Sequence, residues 1–263
     1  MNDLRGLVLV GGKSARFGAP KAQLFLSNKP QWQRAEEILA SVCKQVYFSV
    51  SANFSELPVA DDRLIFDTQT LGPLSGIIAA FASYQGPWLV LACDMPGISY
   101  EAVSYLLLKR DRQKLASVFI NAKGQIEPLC AVYELAILEH LLRAQEQQIF
   151  CPRKILTNLV VEGVKALDES WLDNINSPKD LVGYKKISLH FYARVREEAG
   201  VGDLEVFSKA HSMLDLFREV RMRFCLSLDE KSVRFACNDR LVPAHEMLKT
   251  NDRIVFIPPV SGG

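Results

Sequence analysis

The first 180 residues alternate short apolar runs with stretches of helical periodicity. Residues 7–10 and 88–93 are continuous apolar runs, which are typical of parallel strands buried on both faces. This alternation predicts an α/β domain with a doubly wound, mostly parallel sheet, whose ligands lie beyond the carboxyl ends of the strands. The other predicted elements of this part are a strand over 46–50 and helices over 34–44, over 75–84 with Ser75 as N-cap, and over 100–109.

The pattern changes near residue 184, where polar and apolar residues begin to alternate one by one. Residues 185–193 alternate in this way, as a strand with one buried face does. A helix capped by Ser212 follows, and further strands are predicted over 233–237 and 253–257. The order of strand, helix, strand and strand indicates a small α+β domain. We therefore divide the chain into domains at residues 1–184 and 185–263.

Composition restricts the class of protein. Hydrophobic residues make up 49% and charged residues 23% of the 263 positions, as in a folded globular protein. The formal net charge of +1 gives little electrostatic basis for a nucleic acid or an anionic membrane as partner. No apolar run approaches the ~18 residues of a membrane span, and no signal-peptide pattern follows the first residues. The six cysteines form no CxxC pair, so we expect a reduced, cytoplasmic protein without a zinc site.

Two adjacent glycines and three cations follow the first predicted strand. Gly11 and Gly12 allow the backbone to turn tightly, so that its N–H groups can point at phosphate oxygens. Lys13, Arg16 and Lys21 add a local positive charge that the neutral total hides. The pattern is not a P-loop, which needs a glycine five positions before Gly12, and it lacks the dinucleotide motif G-x-G-x-x-G. It predicts a phosphate-binding loop, and a solvated loop without a ligand is the alternative.

Residues 9–21 resemble the signature L-x-G-G-x-S-x-R-M-G-x-x-K of nucleotidyltransferases that use a nucleoside triphosphate to cap a phosphorylated substrate. Every fixed position matches except the methionine, which is Phe17 here. The segment is most similar to the molybdenum cofactor guanylyltransferases, the MobA family, which has Gly-Gly where cytidylyltransferase relatives usually have Ala-Gly. The resemblance implies that Arg16 and Lys21 are catalytic. It also implies a nucleotide site that includes Leu9, Gly11, Gly12, Ser14 and Lys21.

Two acidic residues close predicted strands. Asp94 follows the run 88–93, and Asp67 follows the run 64–66. Carboxylate oxygens at this edge of a sheet suit a Mg²⁺ ion that is bound to a triphosphate. The MobA family carries C-D-x-P at Asp94 and an acidic residue at Asp67. The resemblance therefore implies that both bind nucleotide and metal and that Asp94 is also catalytic, whereas a turn or cap role is the alternative for each.

Three further segments resemble the MobA family. The segment around Gly72 resembles G-P-L-x-G, a loop that enters a helix, and implies that Gly72 binds the nucleotide. Residues 127–133 resemble the strand P-L-x-A-x-Y, which lines the pterin side in that family. Asn174 and Asn176 begin a segment that resembles N-x-N-T-P-E-D-L with two substitutions, which implies that both lie on the pterin side.

The reaction that this resemblance implies is a transfer of GMP. The terminal phosphate of molybdopterin attacks the α-phosphorus of GTP, pyrophosphate leaves, and Mg²⁺ is the cofactor. Arg16, Lys21 and Mg²⁺ would offset the charge that builds on the leaving pyrophosphate. Gly11 favours GTP, and CTP is the alternative nucleotide.

The C-terminal residues predict a second function. Pro258 and Pro259 stiffen the exit from the last predicted strand, and Gly262 and Gly263 can thread a narrow cleft because they lack Cβ. Together with residues 191–197, the tail resembles the small sulfur-carrier subunit of molybdopterin synthase, the MoaD family, which has the β-grasp fold of ubiquitin. The resemblance implies that an E1-like adenylyltransferase activates Gly263, that Gly263 becomes a thiocarboxylate, and that the large synthase subunit receives the tail. The thiamine-pathway carrier is the alternative family.

We therefore expect a fusion of two activities in molybdenum cofactor biosynthesis. The alternatives are a carrier with an inactive nucleotidyltransferase domain and an enzyme whose tail is unused. Cys93 and Cys130 are expected to pack as small hydrophobic residues. His190, His211 and His245 are expected to have no base or metal partner.

Overall fold

The structure is a computed structural model that forms two compact units. The first unit contains the N-terminal strand and the described residues from 31 to 180, and the second contains the described residues from 25 to 30 and from 181 onward. For residues 25–26 only the backbone is described. The described residues are 3–10, 25–26, 29–51, 57, 59–67, 72–175, 180–181 and 183–259.

Strands and helices alternate along most of the chain. The strands are β1 (Arg5–Leu9), β2 (Phe25–Leu26), β3 (Lys29–Pro30), β4 (Val46–Ser51), β5 (Leu64–Asp67), β6 (Trp88–Ala92), β7 (Ala116–Ile120), β8 (Ile126–Tyr133), β9 (Glu162–Lys165), β10 (Lys185–His190), β11 (Asp203–Ser208), β12 (Arg234–Cys237), β13 (Arg240–Val242) and β14 (Asp252–Ile257). The α-helices are α1 (Gln31–Ala40), α2 (Pro73–Ser83), α3 (Tyr100–Leu108), α4 (Leu138–Glu146), α5 (Pro152–Thr157), α6 (Ala193–Ala199) and α7 (Met213–Phe224). Short 3₁₀ helices are formed by Asp61–Arg63, Leu135–Ile137 and Glu169–Leu172.

The first unit is built on a seven-stranded sheet in the order β5-β4-β1-β6-β8-β7-β9. Strands β5, β4, β1 and β6 run parallel, and β8 is antiparallel to both β6 and β7. Neighbouring residues of one strand, such as Leu89 and Val90, belong to two different core clusters, because successive side chains point to opposite faces. Helices α1 and α3 contribute to one cluster, and α2 and α4 contribute to the other. The predicted mostly parallel α/β fold is confirmed.

Two helices of the first unit begin earlier than predicted. Helix α1 begins at Gln31, directly after strand β3, and not at residue 34. Helix α2 begins at Pro73 with Gly72 as its N-cap, because proline at the first helical position has the required φ and no N–H to satisfy. Ser75 is therefore inside the first turn and is not the N-cap, and its hydroxyl bonds to Asp67 instead.

The second unit contains a mixed sheet in the order β13-β12-β14-β10-β11-β2-β3. The last strand, β14, lies inside this sheet, parallel to β10 and antiparallel to β12. Helix α7 begins with a capping box between Ser212 and Asp215, and it buries Phe217 and Val220 in a core that also contains Phe256. A mixed sheet with one long helix packed against it is the predicted small α+β arrangement of the β-grasp fold.

Three elements between residues 185 and 257 were absent from the predicted order, namely α6, β11 and β13. Residues 203–208 form β11, whose alternation of polar and apolar residues was an available signal. The predicted strand over 185–193 ends at His190, and α6 follows. His190 Nδ1 lies 2.7 Å from Asp203 Oδ1 on β11, so the expectation that His190 has no carboxylate partner was wrong.

The short strands β2 and β3 belong to the second unit, although they were expected to lie in a first domain over 1–184. Leu26 of β2 pairs in parallel with Phe207 at the edge of β11, and β3 pairs with β2. Backbone pairing of two-residue strands leaves no hydrophobic pattern, so this assignment could not be predicted from the residues. In the part of the chain that the structure describes, every helix is too short or too polar to cross a lipid bilayer.

Candidate active site

The carboxyl ends of the parallel strands bring separate chain segments to one edge of the first sheet. Strand β1 ends at Leu9, whose backbone pairs with Ser49 of β4 and Ala92 of β6. The N–H of Val10 donates to the Ser49 carbonyl (3.1 Å), which holds the start of the next loop against β4. The predicted residues of this loop lie outside the described residues; they are Gly11, Gly12, Ser14, Arg16 and Lys21.

Asp94 lies two residues beyond β6, in the turn that leads to α3. Its backbone carbonyl accepts a hydrogen bond from the N–H of Ile175 (2.7 Å). Gly97 in the same turn allows a very close approach, because a Cβ at this position would lie 1.8 Å from the carbonyl oxygen of Ser170. The turn that carries Asp94 is therefore packed directly against residues 170–175.

Glu127 is a buried carboxylate near Asp94 that was not predicted as a site residue. Its Oε1 accepts a hydrogen bond from Leu129 N–H (3.0 Å), and its Oε2 accepts bonds from Arg153 and Asn174 (3.3 Å each). Burial raises the pKa of Glu127, its three hydrogen-bond donors lower it, and the charge of Asp94 raises it. The one signal that the sequence offered for this position is a charged residue near the start of an otherwise apolar strand.

Asn174 reaches the same place from the segment after the last 3₁₀ helix. Its side-chain amide donates to Glu127 Oε2 and to the carbonyl of Leu172 (3.3 Å each). Asn176, the second residue predicted for the pterin side, lies outside the described residues. The structure therefore brings Asp94, Glu127 and Asn174 together from three segments that are distant in sequence.

A second polar group lies at the end of β5. The hydroxyl of Ser75 lies 2.5 Å from Asp67 Oδ2 and 2.8 Å from the carbonyl of Gly72. Gly72 has a φ of 78°, in the left-handed region that favours glycine. Gly76 has a packing role, because a Cβ there would lie 2.2 Å from Ser49 Oγ. The predicted segment around Gly72 thus forms the N-terminus of α2 and lets this helix approach β4 closely.

The order of the strands separates Asp67 from Asp94. Strands β4 and β1 lie between β5 and β6, and three strand spacings place the two backbones roughly 14 Å apart. Carboxylate oxygens bind Mg²⁺ at about 2.1 Å, so two aspartates at this separation do not reach one ion. The prediction that Asp67 and Asp94 share a metal ion therefore disagrees with the topology.

Asp94 and Glu127 form a more suitable pair of metal ligands. Mg²⁺ usually takes one or two carboxylates from the protein and completes its shell with substrate phosphates and water. Strands β6 and β8 run antiparallel with Leu91 opposite Cys130, so Asp94 and Glu127, each three residues further along, lie at the same end of this strand pair. Among the described residues, no group of three or more His, Cys, Asp or Glu could hold an ion. These two residues fit Mg²⁺ if the triphosphate supplies further oxygen ligands.

A cavity of about 820 Å³ lies between α4 and α5, and Arg153, which donates to Glu127, is part of its lining. Its lining includes Arg143, Phe150 and Lys154. None of the described residues that the sequence predicted for nucleotide or pterin lines this cavity. The candidate site is therefore located by the polar groups at the sheet edge and not by cavity size.

The cysteines next to the site have a packing role. Cys93 and Cys130 are buried and belong to the same core cluster. Burial raises the pKa of both thiols, so neither forms a thiolate readily. The expectation that they pack as small hydrophobic residues is confirmed.

The second candidate site is the C-terminus. Strand β14 ends at Ile257, and Pro258 and Pro259 follow it. Because β14 lies between β12 and β10, the chain leaves from the interior of the sheet. Gly262 and Gly263 lie outside the described residues.

Comparison with families of known proteins divides the chain in two. Residues 6–162 match the model of the MobA-like NTP transferase domain, and residues 189–263 match the model of the ThiS family. The chain belongs to the MobA-like NTP transferase family. Its second unit is a ThiS-like domain. The resemblance of the N-terminal part to MobA and of the C-terminal part to the β-grasp sulfur carriers is confirmed.

Individual relatives support this assignment. A molybdenum cofactor biosynthesis bifunctional protein from Synechocystis sp. is 35% identical over 185 residues, which are 67% of this chain. The match covers 52% of that relative, so the chain spans about half its length. A probable molybdenum cofactor guanylyltransferase from Nostoc sp. is 30% identical, covering 69% of this chain and 90% of the relative. The crystal structure of molybdopterin-guanine dinucleotide biosynthesis protein A from Archaeoglobus fulgidus has a TM-score of 0.53 at 25% identity, covering 67% and 94%.

Proposed function

We propose that the MobA-like unit transfers GMP from GTP to the terminal phosphate of molybdopterin. An oxygen of that phosphate attacks the α-phosphorus, the bond from the α-phosphorus to the bridging oxygen breaks, and pyrophosphate leaves with that oxygen. The observation that carries this proposal is the convergence of Asp94, Glu127 and Asn174 at the carboxyl edge of the sheet. It occurs in a chain whose first unit is a MobA-like NTP transferase domain.

In this proposal the nucleotide binds between the glycine-rich loop and the start of α2. The N–H groups at the N-terminus of α2 suit a phosphate or the polar edge of a base. Asp67 acts on the nucleotide through its bond with Ser75, since the sheet order separates it from the metal ligands. Arg16 and Lys21 offset the charge of the leaving pyrophosphate. The loop residues that bind the phosphates are Leu9, Gly11, Gly12 and Ser14.

The metal and the acceptor lie on the side of Asp94. Asp94 holds Mg²⁺, with Glu127 as the second carboxylate beside it. When bound, Mg²⁺ neutralises charge on the triphosphate and on the leaving group. Glu127 also fixes the amide of Asn174, which contacts the pterin together with Asn176. Catalysis then depends on positioning and charge neutralisation more than on covalent chemistry.

The proposal is tested with the full chain, molybdopterin, Mg²⁺ and GTP labelled at the α-phosphate. We expect labelled pterin dinucleotide and one pyrophosphate for each transfer. Lys21→Ala and Asp94→Asn should each lower kcat/KM by about a hundredfold or more, since each removes charge compensation at the reacting phosphates. Asp62→Asn removes an exposed acid and serves as the control. Wild-type rates in both Lys21→Ala and Asp94→Asn would contradict the assignment.

The same assay determines whether the protein uses GTP or CTP. We expect GTP to be used and CTP to be a poor substrate, because the relatives with similar sequences include proteins named guanylyltransferases. Equal use of CTP would overturn the specificity for guanine. A chain that accepts sulfur at its tail but transfers no nucleotide would instead support a carrier with an inactive first unit.

For the second unit we propose a sulfur-carrier role. On an E1-like adenylyltransferase, the Gly263 carboxylate attacks the α-phosphorus of ATP, which releases pyrophosphate and forms an acyl adenylate. Sulfide from a donor then displaces AMP and leaves a thiocarboxylate on Gly263. The large subunit of molybdopterin synthase receives the tail, including Gly262, and sulfur passes to the pterin precursor. The ThiS family match and the exit of the chain from the interior strand β14 support this role.

Intact-protein mass spectrometry tests the loading step. After incubation with the E1-like enzyme, ATP and a sulfur donor, we expect the mass increase of one exchange of oxygen for sulfur. A chain truncated before Gly262 is the matched control and should show none. An unchanged mass of the full chain would rule out the carrier role.

A second candidate is a carrier for the thiamine pathway, which the match to the ThiS family favours. The sulfur-loaded chain is offered to the large molybdopterin synthase subunit with cyclic pyranopterin monophosphate. Formation of the dithiolene supports the molybdopterin role. Retention of the thiocarboxylate under these conditions would favour the thiamine-pathway carrier.

A further inference from the structure

The turn between β6 and α3 has backbone carbonyls that are removed from water. Met95 and Ile98 are 2% and 0% exposed, and both belong to a core cluster of the first unit. The carbonyl of Met95 accepts one hydrogen bond within the turn, from Ile98 N–H (3.3 Å). A buried carbonyl that lacks a donor costs free energy, so donors from elsewhere in the fold are needed to complete the hydrogen bonding of this turn. Asp94, the proposed metal ligand, directly precedes Met95.

Arg34 of α1 supplies these donors. Its Nη1 donates to the carbonyl of Met95 (3.4 Å), and its Nη2 donates to the carbonyl of Ile98. A guanidinium presents several donors in a rigid planar fork, so one side chain can bind two carbonyls in a fixed relative position. A lysine ammonium is a single point of charge on a flexible stem, and it does not reproduce this geometry.

A second segment also contacts this turn. Ile175 N–H donates to the carbonyl of Asp94, and Gly97 packs against the carbonyl of Ser170. The turn is thus contacted both by α1 and by residues 170–175. Residues 170–175 contact the turn through backbone atoms, whereas α1 contacts it through the side chain of Arg34. The contacts from α1 can therefore be removed by a substitution of Arg34.

We propose that Arg34 is a positioning residue, which fixes the backbone of residues 94–98 and thereby orients the Asp94 carboxylate toward Mg²⁺. This inference rests on the proposed function, since it requires Asp94 to bind the metal. Arg34 lies outside every segment that resembles the MobA signature motifs. Its role follows from the two carbonyl contacts alone.

The test measures binding of Mn²⁺, used in place of Mg²⁺, to the full chain saturated with GTP, by electron paramagnetic resonance of the free ion. Arg34→Lys keeps the charge but loses the fork, so we expect the dissociation constant for Mn²⁺ to rise about tenfold. Arg34→Gln retains one amide donor and should also weaken Mn²⁺ binding. The matched control is Arg63→Lys, because Arg63 also donates to a backbone carbonyl, that of Val46 (3.0 Å), and it should leave Mn²⁺ binding unchanged.

The outcomes separate this inference from the proposed function. Loss of Mn²⁺ binding in Asp94→Asn, together with wild-type affinity in Arg34→Lys, would overturn the role of Arg34 alone. Wild-type Mn²⁺ affinity in Asp94→Asn would overturn the metal role of Asp94 and this inference with it. If neither Arg34 variant folds, as judged by thermal unfolding, Arg34 is a stabilising residue and the inference is wrong.

Discussion

The two units hold their functional groups in different ways. In the MobA-like unit, Asp94, Glu127 and Asn174 come from segments far apart in sequence and are held by contacts inside the fold. In the ThiS-like unit, the proposed functional residue is Gly263, and charged pairs such as Arg218 and Glu230 (2.6 Å) are partly exposed. The chemistry of the first unit therefore depends on accurate packing. The second unit needs a stable sheet that presents its terminal strand.

The largest expected effect is a loss of stability in the second unit that leaves the first unit unchanged. Phe217 is fully buried, and its ring lies 6.0 Å from that of Phe235 and 5.2 Å from that of Phe256. Phe217→Ala should lower the free energy of unfolding of the second unit by about 3–5 kcal/mol. GMP transfer should persist, because the described core clusters of the first unit contain residues between Leu4 and Leu172. Calorimetry measures the stability of each unit, and the transfer assay measures GMP transfer. Loss of GMP transfer while the unfolding transition of the first unit is unchanged would contradict the independence of the two units.

A second substitution tests the accuracy that the active site requires. Gly97→Ala places a Cβ where only 1.8 Å separates it from the Ser170 carbonyl, so the turn with Asp94 must move. A displacement of this size should lower kcat/KM for GMP transfer by about a hundredfold. The matched control is Gly202→Ala in the second unit, where the nearest atom is the flexible Arg196 side chain at 3.3 Å. A near-wild-type kcat/KM in Gly97→Ala would show that GMP transfer does not depend on the exact position of the turn that carries Asp94.

A third prediction concerns pH and the buried carboxylate of the first unit. The pKa of Glu127 is raised from its usual 4.5, mainly by burial, so the folded state binds its proton more tightly than the unfolded state does. The free energy of unfolding should therefore fall as pH rises from 4.5 through the raised pKa of Glu127. Glu127→Gln should remove this part of the pH dependence and also slow GMP transfer. Chemical unfolding across this pH range measures the effect, and the same pH profile in the wild type and the variant would contradict it.

The smallest expected effect has the opposite sign and lies in the second unit. Hydrogen bonds from Ser227 and Arg194 lower the pKa of Glu198 to about 2. The stabilisation by Glu198 is complete above its usual pKa of 4.5 and is lost as pH falls from 4.5 toward 2. Glu198→Gln should lower the Tm of the second unit slightly at neutral pH and leave it unchanged near pH 2. Thermal unfolding at these two pH values measures the change in Tm. An equal decrease in Tm at both values would show that the ionised Glu198 carboxylate is not the source of the stabilisation.

The sequence predicted the parts of the fold that depend on local pattern. Strands β1 and β6 were predicted because they contain continuous apolar runs, which is what burial on both faces requires. The predicted start of α2 lies two residues too late, because a serine fits the N-cap position in sequence, whereas the hydroxyl of Ser75 bonds to Asp67. Strand β11 has the alternating pattern of a half-buried strand, although the predicted order does not include it.

The candidate site was predictable only in part. Asp94 was found because it follows a buried strand and matches a family motif. Glu127 was missed because its partners Arg153 and Asn174 are 26 and 47 residues away, so the contact exists only after folding. Asp67 and Asp94 were both predicted to bind metal, and the sheet order that separates them has a related cause. Strand ends are visible in a sequence, but the order of the strands in the sheet is not.

One measurement on a single sample tests the central claim, that one chain both transfers a nucleotide and carries sulfur. The full chain is first loaded by the E1-like enzyme with ATP and a sulfur donor and is then repurified. It is next given molybdopterin, Mg²⁺ and labelled GTP. We predict that the intact chain has the mass of a thiocarboxylate and transfers GMP at the rate of the unloaded chain. A chain that accepts sulfur without transferring GMP, or transfers GMP without accepting sulfur, would contradict the account.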